Sequence, residues 1–211
     1  MSLEHWLAFA AASAVLLAIP GPTILLVISY ALGHGRKTAL ATVTGVALGD
    51  LVAMTASVAG LGALLATSAT AFTIMKWIGG AYLVYLGIRL WRAPVGDEPI
   101  ADNDNLPEEK PLRILGHAFA VTALNPKSIV FFVAFVPQFM APSAPFLPQV
   151  LVLEATFVTL AIINALIYAF VADSARRFIR KRSVRKAVNR TGGTLLIAAG
   201  AVTAGYRKIA A

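Results

Sequence analysis

The chain has no cysteine, which excludes disulfides, thiolate metal sites and thiol redox chemistry. Charge is almost as scarce. Only 13% of the 211 residues are Asp, Glu, Lys or Arg, about half the share found in soluble domains. Histidine is limited to His5, His34 and His117, which lie scattered near the ends of apolar stretches with no nucleophile and base pairing visible. No phosphate-binding ATP motif is present. The sequence therefore does not read as an enzyme, and no cofactor or metal site is expected.

What is present is apolar: 58% of the residues are hydrophobic and the mean hydropathy is +0.77. A helix needs about 20 apolar residues to cross the hydrocarbon core of a bilayer. Six stretches qualify, roughly 6–32, 39–66, 69–91, 114–140, 147–171 and 190–206. The first lacks a basic flank and continues through Pro20-Gly21-Pro22 to Leu32, so it is read as a retained span rather than a removable signal. The net charge of +8 would suggest nucleic acid in a soluble protein, but its placement gives another reading. When the loops are assigned to alternate sides, 14 basic residues fall on one side, from Arg36 and Lys37 to the run Arg176–Arg190; Lys76, Arg207 and Lys208 fall on the other. By the positive-inside rule the richer side is cytoplasmic and both termini are outside. Lys127 is left within the membrane. The basic run Arg176–Lys186 is either a topology anchor or a patch attracted to anionic lipid.

An acidic, proline-interrupted linker from Pro94 to Pro111 divides the chain. On either side a pattern recurs: Gly79-Gly80, Leu83 and Gly87 match Gly192-Gly193, Leu196 and Gly200 at a constant offset of 113, while Pro20 and Pro126 match at 106. Three spans per half force the second half to enter from the opposite face, as an inverted repeat about an axis in the membrane plane. The expected organisation is a three-helix repeat at 1–93, a cytoplasmic linker at 94–112 and a second repeat at 113–211. The fold class is all-α, six transmembrane helices in a 3+3 inverted repeat with Pro-broken first and fourth helices. Gly45 and Gly49, followed by Gly60 and Gly62, are expected to permit close helix approach.

The breaks carry the chemistry. Pro20-Gly21-Pro22 and Asn125-Pro126-Lys127 remove backbone donors at membrane depth, where lipid satisfies nothing. Matched interruptions in two halves point to a transporter binding site. A helix resuming after such a break offers free N–H groups and a positive dipole end to a carboxylate, and Thr23, Asn125 and Ser128 lie at the same level. Asp50, about 17 Å into the second stretch at about 1.5 Å per residue, should reach the midplane. There Asp or Lys costs about 2.5 to 3.5 kcal/mol. Asp50 and Lys127 are either a static ion pair or a pair that exchanges with a proton or substrate. Glu154 is either a second proton-relay carboxylate or a partly solvated residue near the outer mouth, and Asn164 is expected to hydrogen-bond across helices or to substrate.

Pro20-Gly21-Pro22, the run Gly45 to Asp50, the segment Trp77 to Gly87, Asn125-Pro126-Lys127 and Phe135-Val136-Pro137-Gln138-Phe139, in that order, resemble the LysE/RhtB family of amino-acid exporters. The resemblance covers nearly the whole chain. It implies a bacterial inner-membrane exporter of amino acids or their derivatives, with Pro20 to Pro22, Asp50 and Asn125 to Lys127 at the motif positions. Thr23 departs from the Asn or Asp that many relatives carry there. The combined expectation is secondary export, by proton antiport, of a small zwitterionic or cationic amino acid bound by Pro20, Gly21, Pro22, Thr23, Asn125, Pro126 and Lys127, with Asp50 and Glu154 coupling protons. The partners expected are that substrate, protons and the lipid bilayer, with no nucleic acid and with homo-oligomerisation left open. The alternative is a divalent metal-ion exporter of related fold.

Overall fold

The computed structural model describes residues 1–67, 69–92, 110–141, 144–172 and 182–205; at some positions in 63–92 and 182–205 only the helix is described. The linker, the segment 173–181, Arg207 and Lys208, the side chains of Lys76, Leu83 and Leu196, and the surroundings of Gly79, Gly80 and Gly200 lie outside that description. The described chain is helical. In order come α1 (Leu3–Ala18), α2 (Pro22–His34), α3 (Ala39–Thr67), α4 (Ala69–Arg92), α5 (Pro111–Ala123), α6 (Pro126–Phe135), α7 (Phe146–Phe170) and α8 (Arg182–Gly205), with short 3₁₀ turns at Arg36–Thr38 and Val136–Phe139.

Proline sets the breaks. Pro22 and Pro126 stand at the first position of α2 and α6, where a missing N–H is harmless and a fixed φ favours helix entry. The α1–α2 pair bends by 54° and the pair formed by α5 and the Pro126–Phe139 segment by 46°. Two unbroken segments, Arg36–Gly62 and Phe146–Phe170, are long and apolar enough to cross a membrane, and each bent pair passes if it counts as one span. That makes two to four candidate spans among the described residues. α4 and α8, 24 residues each, are not among them. α8 begins at Arg182, inside the basic run rather than at 190.

Small residues decide which helices meet. A Cβ at Gly49 would lie 2.7 Å from Thr122 Cβ and 2.9 Å from Phe119 O, and one at Gly45 would lie 2.7 Å from Ala118 Cβ. The α3–α5 seam is thus closed backbone to backbone, and the two helices run parallel. Gly87 and Gly193 face each other across an antiparallel α4–α8 pair, each Cβ position 2.6 Å from the other's carbonyl oxygen. The expectation fails at Gly60, which has nothing within 4 Å. α1 runs parallel to α7, tied by Trp6 Nε1 donating to Thr156 Oγ1 at 2.9 Å.

Two cores stack along the bundle with the breaks between them. One draws on α1, the later half of α3, α6 and the start of α7, and is dominated by Phe9, Phe131, Phe132, Phe135 and Phe157 with Met54 and Leu153. Its rings interlock, with centroids 4.8 Å apart for Phe132–Phe157 and 4.9 Å for Phe131–Phe135. The other draws on α2, the start of α3, α5 and the end of α7, and uses smaller side chains such as Val27, Val43, Val46, Ala118, Ala165 and Ala169.

Candidate functional site

Between the two cores lies a cavity lined by both breaks and by the middles of α3 and α7. Gly21, Thr23, Asp50, Asn125, Lys127 and Asn164 supply its polar side. Its volume is about 20 Å³ measured at water centres, room for about one or two waters and far too little for an amino acid.

The first break explains the polar cluster. In a continuous helix the N–H groups of residues 20 and 22 would bond the carbonyls of Leu16 and Ala18, four residues back. Prolines at both positions remove those donors, and the bend removes the donors to Leu17 and Ile19. Side chains from the second half donate to all four, Leu16 O also accepting from Ile19 N at 3.3 Å. Lys127 Nζ donates to Leu16 O and Ile19 O, both at 3.0 Å. Asn164 Nδ2 donates to Leu17 O at 3.0 Å and Tyr168 Oη to Ala18 O at 3.0 Å. A cation at this negative end of the α1 dipole is also electrostatically favoured.

On the other side of the break, α2 starts with Gly21 as its N-cap and has no side-chain cap. Thr23 and Ile24 of its first turn line the cavity. The second break differs. Asn125 caps α6, its side chain accepting from Lys127 N at 3.1 Å, while its Nδ2 donates to Thr23 Oγ1 at 3.2 Å. Thr122 Oγ1 donates to the same oxygen at 3.4 Å. The start of α6 thus has a side-chain cap, and that of α2 has none.

Asp50 is 2% exposed and its Oδ1 has no hydrogen-bond partner. It lies within electrostatic influence of Lys127, yet the ammonium bonds the α1 carbonyls instead. The direct Asp50–Lys127 pair offered by the sequence is not made. Glu154 is buried, accepts a 2.6 Å hydrogen bond from Thr55 Oγ1, and does not line the cavity. It is a buried inter-helix contact rather than a solvated mouth residue. Pro20, Pro22 and Pro126 also stay off the cavity wall, and Pro22 and Pro126 are exposed. The sequence reading gave Tyr168 no role. Its position four residues after Asn164, one turn along the same helix face, was the available signal.

Broken helices that meet at a buried, charged cavity within an apolar bundle define a membrane transporter. The chain belongs to the LysE type translocator family, whose model matches residues 14–206. It is 34% identical over 208 residues to the homoserine/homoserine lactone efflux protein of Salmonella typhimurium, covering 98% of this chain and 99% of that protein. It is 31% identical over 179 residues to the leucine efflux protein of an Enterobacter species, covering 84% and 82%. A membrane protein of Vibrio cholerae named only as uncharacterized is 35% identical over 204 residues, covering 97% and 98%. No solved structure matches the chain.

Proposed function

We propose that this translocator is a secondary exporter of amino acids or amino-acid derivatives across the bacterial inner membrane, driven by inward proton movement. The observation that carries the reading is the convergence of Asp50, Lys127, Thr23 and the uncapped start of α2 on one cavity at the helix breaks. The α2 N–H groups and Lys127 suit a substrate carboxylate, and Asp50 suits an ammonium group or a coupling proton. Gly21, Asn125, Asn164 and Ser128 shape the same space. Pro20, Pro22 and Pro126 contribute by breaking the helices rather than by contact. Glu154 keeps a coupling role only if its bond to Thr55 opens during transport. The relatives named for homoserine and leucine make neutral, small to medium amino acids the first substrates to test.

The energetics suffice, since one proton entering yields about 2.3 kcal/mol per 100 mV and about 1.4 kcal/mol per pH unit. Six spans in a 3+3 inverted repeat, split at 1–93, 94–112 and 113–211, fit the helix contacts. α1 parallel to α7 is the repeat counterpart of α5 parallel to α3, and the antiparallel α4–α8 pair maps onto itself. Six spans put both termini on one side, and the loop charge bias favours the outside for them. A closed cavity then requires the halves to part before substrate enters. The divalent-metal alternative finds no support: among the described residues no three His, Asp or Glu side chains gather, and Asp50 is the one carboxylate on the cavity.

The test is export. Cells with and without the chain are loaded with a leucine dipeptide or with homoserine, and the amino acid appearing outside is followed. Faster appearance that collapses with a protonophore is expected. Equal efflux for every amino acid in a full panel would overturn the reading.

A further inference from the structure

In cation-coupled carriers built from broken helices, the exposed carbonyl end of a half-helix is where the coupling metal ion binds. Here that place is taken by a side chain. Lys127 reaches from α6 to the end of α1, its ammonium held by the carbonyls of Leu16 and Ile19. It runs close past Gly21, where a Cβ would lie 3.3 Å from Nζ and 3.6 Å from Cε. The neighbouring carbonyls of Leu17 and Ala18 already accept from Asn164 and Tyr168. Every carbonyl of that turn therefore has a donor, and the cationic group that two of them hold is covalently attached.

We propose that Lys127 is a tethered cation occupying the coupling-ion position at the first break, so that the protein binds neither sodium nor potassium there. An ammonium has three donors; two hold α1 and one remains for the cavity. Lys127 is thus a positioning residue for the α1 end. The ion's relevance to transport rests on the exporter reading, but its occupancy of the carbonyls does not.

The test uses the purified full chain in detergent, with no substrate and no gradient. Thermal unfolding midpoints are compared in sodium, potassium, ammonium and choline chloride at equal ionic strength. The wild type should not discriminate among them. Lys127→Ala should unfold roughly 5 °C lower in choline, and ammonium should restore a large part of that loss. Should this variant fail to accumulate, Lys127→Met, which keeps most of the stem, is measured in the same way. Stabilisation of the wild type by sodium or potassium over choline would overturn the proposal by itself. So would a variant as stable as the wild type, or a loss that no small cation restores, which would reduce Lys127 to packing. A failed export assay leaves these outcomes unaffected, and their failure leaves the export assay standing.

Discussion

Asp50 and Lys127 share one cavity but have different partners, and that separation has a consequence for mutants. If the two formed a static pair, neutralising both would relieve the cost of leaving one charge alone. With Lys127 bonded to Leu16 O and Ile19 O, the double variant Asp50→Asn with Lys127→Met loses two separate functions. Export should fall to the empty-vector level in Asp50→Asn at normal membrane abundance, and the double variant should not recover. Recovery would reinstate the static pair. The neighbouring caps are graded by the same logic. Tyr168→Phe should cost about 0.5 to 1.5 kcal/mol, the net worth of one neutral hydrogen bond. Asn164→Leu should cost about 1 to 3 kcal/mol, because Leu17 O is left unsatisfied. Denaturation of the purified variants measures both, and a smaller cost for Asn164→Leu than for Tyr168→Phe would contradict the assignment.

The two breaks are unequal as elements. Pro20→Ala returns an N–H that competes with Lys127 for Leu16 O, so α1 should extend and export should drop while abundance holds. Pro126→Ala should change little, because Pro126 stands at the first position of a helix whose start Asn125 already caps. Parallel export assays of the two variants decide, and equal loss would mean that the breaks act alike. The α3–α5 seam gives a second contrast. Gly49→Val places a methyl against Phe119 O and Thr122 Cβ, and backbone cannot yield as a flexible side chain can. A loss of at least about 1 to 3 kcal/mol from overpacking is expected, seen as lowered membrane abundance. Gly60→Ala, facing open space, should be neutral.

At the scale of the whole molecule, the parallel and antiparallel pairings relate the helices to one another, and the charge bias predicts the absolute direction. Reporter fusions at both termini should read as periplasmic, and fusions in the 94–112 segment and near Arg176 should read as cytoplasmic. Termini on opposite sides would break the proposed inverted repeat, since two three-span halves return the chain to the side on which it began, and two cytoplasmic termini would overturn the charge-based orientation. The aromatic core around Phe131 and Phe157 would then close the outer side of the cavity, and the small-residue core the inner side.

The sequence alone determined the apolar class, the two Pro-marked interruptions and the position of long helices, because each follows from local rules: proline has no donor, and helical spans need apolar length. The ranges 39–66 and 147–171 read from composition differ from α3 and α7 by a single residue at each displaced end. It also singled out Asp50, Thr23, Asn125 and Lys127, which now line one cavity. Partnership was another matter. That Lys127 bonds carbonyls of a helix more than a hundred residues earlier, that Tyr168 joins it, that Glu154 turns to Thr55, and that Gly49 but not Gly60 is crowded were decided only by tertiary structure. A hydrogen bond or a close approach depends on which helix faces which, and that choice is made by packing across the two halves, which no local stretch of sequence contains.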